Sequence, residues 1–189
     1  YPVEQVATPE GYARNPELVI NFYNERRKQL LDVVPNAGHL GVADLERDFN
    51  VTVVTQNVDN LHERAGSTHV IHLHGELTKV CSSRDPYNPH FVKELAPEEY
   101  EVKLGDKAGD GTQLRPFIVW FGESVPEIET AIRYVEQADI FVIIGTSLNV
   151  YPAAGLLNYV PRAAEVYLID PKPVDTHVMR PVSYTHLRA

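Results

Sequence analysis

Apolar residues occur along the chain in short continuous runs that stop at polar or glycine-containing turns. The first run, residues 51–54, is followed by a helix-like segment that ends at Gly66, a residue suited to a helix C-cap. A second short strand is predicted over residues 70–73. Later strands are predicted at residues 117–121, 140–144 and 166–169. Apolar runs that alternate with helices are typical of α/β proteins, so the pattern predicts a doubly wound parallel sheet.

Residues 15–31 are predicted to form a long helix. The opening Asn-Pro-Glu has the side chains preferred at the N-cap, at the first helical position and beside the positive end of the helix dipole. One face of this helix contains residues at spacings of four, three and four: Val19, Tyr23, Arg26 and Leu30. Arg26 interrupts this otherwise apolar or aromatic face. Either its stem covers the core while its head reaches water, or Tyr23 and Arg26 together face an anion in a pocket.

Two further helices are predicted from their first residues. Asn36 is suited to cap a helix that reaches about residue 48. Ser124 and Glu127 have the spacing of a capping box, with Pro126 early in the helix. The inner face of that helix is predicted to contain Ile128, Ala131, Ile132 and Val135.

The composition of the chain changes after residue 75. Residues 76–115 are polar and rich in Pro, Gly and Asp, with a short helical stretch near residues 94–100, which predicts a small insert. The main domain then comprises residues 1–75 and 116–180. Residues 181–189 carry no helical or strand period and look like a tail that is foreign to the fold. Because the chain begins without Met, we expect a piece of a longer protein with both ends cut.

Composition and charge exclude several classes of protein. The net charge of −9 argues against nucleic acid as the main partner, since phosphate binding relies on clustered Lys and Arg. A single cysteine, Cys81, excludes an internal disulfide framework and fits a reducing compartment such as the cytoplasm. No apolar run approaches membrane-spanning length, so no membrane partner is expected. With 43% apolar residues the chain is expected to be globular.

Polar side chains with chemical potential follow the first predicted strand. Gln56, Asn57 and Asp59 can bind a carboxamide and ribose hydroxyls, because amides donate and accept hydrogen bonds while a carboxylate accepts. The alternative is that Asn57 and Asp59 only cap the next helix. Since ligands of open parallel sheets bind beyond the carboxyl ends of the strands, we expect chemistry at this position.

His72 and His74 lie two residues apart at the end of the second strand, so they point to the same face. Three interpretations stay open at this point. The two could be a metal pair, with His62 or His69 as third ligand, although no C-x-x-C or H-E-x-x-H element accompanies them. One could be a general base, or both could be buried and satisfied by hydrogen bonds.

A later strand end offers a second candidate. Gly145, Thr146 and Ser147 could cradle a phosphate or ribose with backbone N–H groups and two hydroxyls. The G-x-G-x-x-G dinucleotide fingerprint is absent, so in a nucleotide-binding fold the first strand and its glycine turn would precede Tyr1.

Taken in order, the segments T-Q-N-V-D-N-L-H-E-R-A-G, H-L-H-G-E, V-W-F-G-E and G-T-S-L-N-V-Y-P-A-A-G closely resemble the sirtuins, the NAD-dependent protein lysine deacylases. The resemblance extends from about residue 6 to residue 173 and implies a Rossmann-like fold. The segments around residues 7–12 and 16–30 look most like the bacterial branch related to desuccinylases. In that branch a Tyr and an Arg three residues later recognise the acyl carboxylate, and these positions fall on Tyr23 and Arg26.

The resemblance implies a role for each matching position. His74 would be the catalytic base, taking a proton from a ribose hydroxyl. Residues 1–35 would supply the helical segment beside the cofactor and the acyl pocket. The residues implied to contact NAD are Gln56, Asn57, Val58, Asp59, Gly145, Thr146, Ser147, Ile169 and Asp170. The residues implied to contact the substrate are Tyr23, Arg26, Val119, Trp120, Phe121 and Gly122, the last four by adding a peptide strand.

The implied reaction removes acetyl, and also succinyl or malonyl, groups from lysine side chains of proteins. The acyl oxygen would attack the nicotinamide ribose, nicotinamide would leave, and the acyl group would depart on ADP-ribose. Most sirtuins hold zinc with four cysteines in the insert, whereas only Cys81 lies here, so no zinc is predicted. The rival hypotheses are an ADP-ribosyltransferase or lipoamidase at the same site, a non-catalytic module that binds NAD or ADP-ribose, and, more remotely, a metallohydrolase.

Overall fold

The computed structural model describes residues 1–146 and 151–170, together with the backbone of residues 183–185. The chain divides into two units, Tyr1–Pro126 and Glu127–Ala189. Each unit contains parallel strands joined through helices or helical turns, which confirms the predicted α/β class.

The first unit begins with helices. In chain order they are α1 (Val3–Val6), α2 (Pro9–Arg14), α3 (Pro16–Asp32), α4 (Ala37–Asp44) and α5 (Leu61–Ala65). The caps predicted from the sequence are present: Asn15 accepts the backbone N–H of Leu18, and Asn36 accepts that of His39. A 3₁₀ turn at Leu45–Arg47 completes the second predicted helix.

The buried face of α3 differs from the predicted face by one position. Tyr23 and Leu30 are buried as expected, but Arg26 is exposed and the neighbouring Arg27 is only 3% exposed. The Arg27 guanidinium donates to the carbonyls of Tyr100 (2.7 Å) and Leu77 (3.3 Å) and to the Asn24 side chain. These hydrogen bonds offset the cost of removing the charged group from water. Burial lowers the pKa of Arg27 to about 10. Arg27 therefore ties α3 to the insert.

Strands β1 (Val53–Thr55) and β2 (Val70–His72) pair in parallel, with α5 between them in the chain. Gly66 ends α5 with φ of 109°, the left-handed conformation expected of a C-cap glycine. This confirms the predicted strand, helix, strand order over residues 51–73.

The insert is built on a second sheet of strands β3 (Gly75–Ser82), β4 (Lys93–Glu94) and β5 (Leu114–Ile118). Their order is β4-β3-β5, and both pairings are antiparallel. The prediction that residues 117–121 form a strand of the main sheet is therefore wrong. The strand ends at Ile118 and pairs with β3, with Leu114 opposite Ser82 and Ile118 opposite Gly75. Pairing with a distant segment, which the local apolar run does not reveal, therefore places it in the insert sheet. The helical stretch predicted near residues 94–100 is one 3₁₀ turn, Pro97–Glu99.

A polar network holds the far end of the insert together. The hydroxyl of Ser82 donates to Asp110 at 2.7 Å, and Thr112 donates to the same carboxylate. These hydrogen bonds lower the pKa of Asp110, the Ser82 bond contributing most. Cys81, beside Ser82, is buried, and its thiol lies 3.7 Å from the carbonyl of Pro116. The absence of zinc remains a prediction.

The core of the first unit lies between α3 and the insert sheet. One cluster contains Val19, Tyr23, Leu30, Leu77, Ile118 and Trp120. A second contains Ile20, Val80 and Val102. Helix α3 contributes to both clusters, so the helix that carries Arg26 is also the main packing surface of this unit.

The second unit contains α6 (Ile128–Val135) and strands β6 (Ile140–Ile144), β7 (Glu165–Ile169) and β8 (Ser183–Thr185), all three parallel in that order. The predicted capping box is wrong: α6 starts after Glu127, and no side chain caps its N-terminus. Ala131 and Val135 are buried as predicted.

Two other features of this unit differ from the predictions. Ile140, Val142 and Ile144 are exposed, so β6 is buried on one face only. Residues 183–185 form a strand in a segment where no element was predicted. The strand is defined by its pairing with β7, since the local sequence has no strand period. No helix among the described residues is long and apolar enough to cross a membrane.

Candidate active site

His74 lies in the turn between β2 and β3 and is half-buried. Its Nδ1 is 3.2 Å from the backbone carbonyl of Gln56, in the loop that follows β1. Because a carbonyl can only accept, Nδ1 carries the hydrogen of this bond, and the neutral ring keeps its lone pair on Nε2. The ring is thus held in the tautomer that can accept a proton at Nε2.

The backbone around His74 is fixed by a close approach of two strands. Gly75 has φ of 84°, and a Cβ at this position would lie 2.1 Å from the carbonyl oxygen of Phe117. Only glycine fits here. The carbonyl of His74 accepts the N–H of Val119 at 2.9 Å. His74 is consequently anchored to the residues that follow β5 as well as to those that follow β1.

The loop after β1 is held through three consecutive carbonyl groups. That of Gln56 accepts from His74, that of Asn57 from Nδ1 of His72 at 3.2 Å, and that of Val58 from the N–H of Leu77 at 2.7 Å. With these three peptide groups fixed from the β2–β3 side, the loop has little conformational freedom.

Two side chains predicted to bind NAD project from this loop. Asn57 is exposed, and its backbone N–H is held by the hydroxyl of Thr55 at 3.0 Å. Asp59 is half-buried, and one of its oxygens accepts the N–H of Leu61 at the start of α5. One oxygen of Asp59 therefore accepts an N–H at the start of α5, as the capping alternative expected, although the residue at the cap position is Asn60.

His72 is nearly fully buried, and both of its ring nitrogens have partners. Nδ1 bonds Asn57, and Nε2 lies 2.5 Å from a carboxylate oxygen of Glu63 on α5. Glu63, His72 and Glu76 bring three possible metal ligands within 4.8 Å of one another. The ammonium of Lys79 lies 2.6 Å from the carboxylate of Glu76 and already supplies positive charge there.

The histidines proposed as further metal ligands have other neighbours. His69 bonds the hydroxyl of Thr52 at 3.0 Å. The rings of His62 and His39 meet edge to face with centroids 4.8 Å apart, and desolvation, followed by the nearby His39, lowers the pKa of His62. Among the described residues, His72 lies beside two carboxylates and His74 beside the carbonyl of Gln56, so the contacts do not favour the interpretation in which these two histidines form a metal pair.

Tyr23 and Arg26, the predicted acyl-recognition pair, have different surroundings. Tyr23 is 6% exposed, its hydroxyl accepts the indole N–H of Trp120 at 3.0 Å, and burial raises its pKa, so the phenol stays neutral. Arg26 is exposed, lies over the ring of Phe22 at 5.0 Å and donates to Gln29. The open interpretation in which Arg26 reaches water agrees with these contacts.

Arg26 borders an open cavity of about 390 Å³ on the surface of α3. The cavity is lined by Tyr1, Leu18, Asn21, Phe22, Glu25, Arg26 and Gln29. A guanidinium at the edge of such a cavity can pair with an anion that enters it.

The segment after β5 is more constrained than the sequence suggested. The N–H groups of Val119, Trp120 and Phe121 donate to His74, to Glu123 and to Ala7, respectively. These three N–H groups already have acceptors. A peptide added here as a strand would therefore have to donate to the backbone carbonyls of these residues or pair with the chain from Gly122 onward. Phe121 is 60% exposed and Gly122 is also exposed, so this end of the segment is open to a ligand.

A buried ion pair adjoins this segment and was not predicted from the sequence. Arg115 donates two hydrogen bonds to Glu123, at 2.8 and 3.0 Å, and its guanidinium lies 3.6 Å from the ring centroid of Trp120. Tyr87 adds a third hydrogen bond to the same carboxylate at 3.2 Å. Burial alone would raise the pKa of Glu123, but the bonds from Arg115 and from Trp120 N–H outweigh it and lower this pKa. The only sequence signal was Glu123 in V-W-F-G-E.

The remaining predicted cofactor residues belong to the second unit. Gly145 has φ of 60°, and its N–H donates to the carbonyl of Ile169 at 3.0 Å, which brings two of the predicted positions together. Thr146 and Asp170 follow these residues at the ends of β6 and β7 and are half-buried. Ser147 lies outside the described residues.

The sequence of the chain is similar to the sequences of known proteins. Residues 1–152 match the Sir2 family. A protein of Bacteroides thetaiotaomicron named NAD-dependent protein deacylase is 84% identical over 182 residues, which are 96% of this chain and 78% of that protein.

Solved structures resemble the chain in fold. A crystal structure of a Sir2 homolog–NAD complex is 37% identical with a TM-score of 0.82, over 97% of this chain and 72% of that one. A Sir2–p53 peptide–NAD⁺ structure is 29% identical with a TM-score of 0.75, over 93% of this chain and 74% of that one.

Proposed function

Because the chain belongs to the Sir2 family, we propose that the loop after β1 and the half-buried His74 form the active site through which it acts as an NAD-dependent protein deacylase. The Rossmann-like α/β fold and the use of NAD follow from the family. We propose in addition the roles of individual residues, the acyl groups that are removed and the products that are formed.

The donors and acceptors of the loop fit the nicotinamide end of NAD. The exposed amide of Asn57 can both donate to and accept from a carboxamide, and the second oxygen of Asp59 can accept from a ribose hydroxyl. Gln56 and Val58 contribute the backbone that holds these side chains in place. A fixed loop binds without an ordering cost, which favours affinity.

His74 is assigned the role of general base. When bound, NAD supplies a ribose whose bond to nicotinamide can be broken in favour of a bond to the acyl oxygen. Nε2 of His74 accepts a proton from a hydroxyl brought to it, and the Gln56 carbonyl keeps the ring in the required tautomer. A positioned base of this kind contributes about a hundredfold or more to a rate. The proposed products are nicotinamide and an O-acyl-ADP-ribose.

The observation that carries the proposal is the hydrogen bond from His74 to the loop after β1, since it orients a base beside the predicted cofactor residues. The test compares the full-length wild-type protein with His74→Ala and with His90→Ala, an exposed histidine of the insert. Acetylated, succinylated and lipoylated peptides are incubated with and without NAD, and products are identified by mass spectrometry.

We expect NAD-dependent deacylation with nicotinamide release in wild type and His90→Ala, and a loss of about a hundredfold or more in His74→Ala. Transfer of ADP-ribose to the peptide, or release of a lipoyl group, would favour the other enzyme classes. NAD binding with no turnover in any variant would favour a non-catalytic module.

For the acyl group we propose succinyl- and malonyl-lysine in addition to acetyl-lysine. The support is the exposed guanidinium of Arg26 at the edge of the cavity, over the ring of Phe22. A carboxylate entering this cavity would gain a charge-assisted hydrogen bond that an acetyl group cannot form. Arg26→Met should therefore abolish desuccinylation and retain deacetylation. Equal loss of both activities would contradict this role.

For the protein partner we propose acylated lysine side chains in peptides that bind next to Phe121 and Gly122. The exposed end of the V-W-F-G-E segment is the supporting feature, and one structural relative was solved with a p53 peptide. Cytoplasmic location is proposed on the free thiol of Cys81, which suits a reducing compartment.

A further inference from the structure

The buried histidine of the site is not used by the proposed chemistry. His72 lies at the end of β2 with 7% of its side chain exposed, and it bonds Asn57 through Nδ1 and Glu63 through Nε2. These partners belong to two separate pieces of structure, the loop after β1 and helix α5. A side chain that joins them can control how the loop is presented.

The direction of the bond to the loop follows from its acceptor. The carbonyl of Asn57 can only accept, so Nδ1 of His72 must donate. Nε2 lies 2.5 Å from a carboxylate oxygen of Glu63, and this second contact keeps the ring from rotating away from the loop. Glu76 also faces the ring, and Lys79 pairs with Glu76, so the charges around the histidine are balanced from β3.

The bond falls on the middle one of three consecutive fixed carbonyl groups. The carbonyls before and after it are held by His74 and by Leu77. The side chain of Asn57 is the most exposed of those on the loop, so within the part of the chain that the structure describes it is oriented by its own backbone, whose N–H bonds Thr55. Without His72 the peptide group between residues 57 and 58 would be free to rotate, and the amide would lose its direction.

We propose that His72 is a positioning residue for cofactor binding. It fixes the Asn57 carbonyl through Nδ1–H so that the Asn57 amide faces the nicotinamide end of the cofactor, and Glu63 orients its ring. The assignment of the loop to NAD rests on the proposed function. The hydrogen bond from His72 to the carbonyl of Asn57, and its effect on the loop, do not depend on that function.

Two substitutions separate this role from simple filling of the core. In His72→Asn the amide nitrogen is bonded to Cγ, as Nδ1 is, so the donor to Asn57 is kept and the contact with Glu63 is lost. In His72→Gln the amide nitrogen lies where Nε2 lay, so the contact with Glu63 is kept and the donor to Asn57 is lost. Glutamine is the closer match in volume. A filling role therefore predicts that Gln is the better replacement, and the positioning role predicts Asn.

The experiment measures NAD dependence and loop exchange in the full-length protein. We expect His72→Gln to raise KM for NAD about tenfold, the factor that one ordinary hydrogen bond supplies, with kcat nearly unchanged. His72→Asn and the control His90→Gln should stay close to wild type. Hydrogen exchange of residues 56–61 should be faster in His72→Gln than in His72→Asn.

Equal effects of Asn and Gln, or a milder effect of Gln, would overturn the proposal. Should both variants melt far below wild type, ¹⁵N NMR of the unchanged protein decides: a protonated Nδ1 of His72 agrees with the proposal, and an unprotonated Nδ1 overturns it. If the wild type shows no NAD-dependent turnover, the proposed function fails, while the exchange and NMR measurements still decide whether His72 holds the loop.

Discussion

The buried pair of Arg115 and Glu123 offers the most quantitative test of how the site is supported. The side chains of these residues are 4% and 13% exposed, and two hydrogen bonds at 2.8 and 3.0 Å join them. Arg115→Met leaves a buried carboxylate without its cation, which is expected to lower the free energy of unfolding by about 3–5 kcal/mol. Glu123→Gln leaves the buried guanidinium facing an amide, with a loss of similar size.

The double variant removes both charges and so leaves no unpaired buried ion. Its loss should be smaller than the sum of the two single losses by about 2 kcal/mol, because residues in direct contact do not contribute independently. Unfolding in urea can be followed by the fluorescence of Trp120, the single tryptophan of the chain, against which Arg115 stacks, and by circular dichroism in parallel.

The matched control is the pair of Lys93 and Glu99, also in the insert, whose side chains are 63% and 61% exposed at 3.6 Å. The same cycle with Lys93→Met and Glu99→Gln should show no measurable coupling, because water screens exposed pairs. Additive losses in the buried cycle as well would refute the reasoning that this pair supports the V-W-F-G-E segment.

The pH dependence of the buried cycle has a definite sign. The pKa of Glu123 is lower in the folded protein than its ordinary value of 4.5, which belongs to the unfolded chain. The stabilisation is therefore fully present at pH values above 4.5 and is lost as the pH falls through the folded pKa. Coupling measured at pH 7 should persist at pH 5.5 and decrease in more acidic buffer, so coupling that increases there would contradict the assignment.

Three other predictions concern packing and reactivity. Gly75→Ala should destabilise the protein by more than about 2 kcal/mol or prevent folding, since the added Cβ would lie 2.1 Å from a carbonyl oxygen and the backbone has positive φ. Gly41→Ala, on α4 with open space around it, should instead raise the melting temperature slightly; a similar loss at both sites would count against the steric argument. Burial raises the pKa of Cys81 to about 12, so iodoacetamide should label it slowly in the native protein and quickly in urea, as measured by mass spectrometry. Equal labelling rates would contradict its burial. Arg27→Lys should lower the urea midpoint, because an ammonium cannot reach the three acceptors that the guanidinium bonds, whereas Arg26→Lys at the exposed neighbour should not; equal effects would contradict the distinction between the two arginines.

Local preferences made several elements predictable from the sequence. The Asn-Pro-Glu start of α3, the cap at Asn36 and the C-cap at Gly66 follow from backbone chemistry within a few residues. The apolar runs of β1, β2, β6 and β7 likewise follow from their own composition. The order of the motifs was enough to indicate the family, because it depends on identity and spacing alone.

The choice between Arg26 and Arg27 needed the tertiary structure. Both lie near the predicted helix face, and a helical period alone does not decide which of two adjacent positions is buried. The decision comes from acceptors 50 and 73 residues away in the chain, the carbonyls of Leu77 and Tyr100.

The support of the candidate site was likewise decided only in three dimensions. From the strand pattern alone, His72 and His74 were equivalent members of one strand end, and only the family resemblance singled out His74. Folding directs His74 to the carbonyl of Gln56 and His72 to that of Asn57, and it buries Arg115 against Glu123. The sequence by itself determined which side chains are available and which elements carry them. The tertiary structure decided which of them meet, because hydrogen bonds between distant segments depend on distances that no local pattern contains.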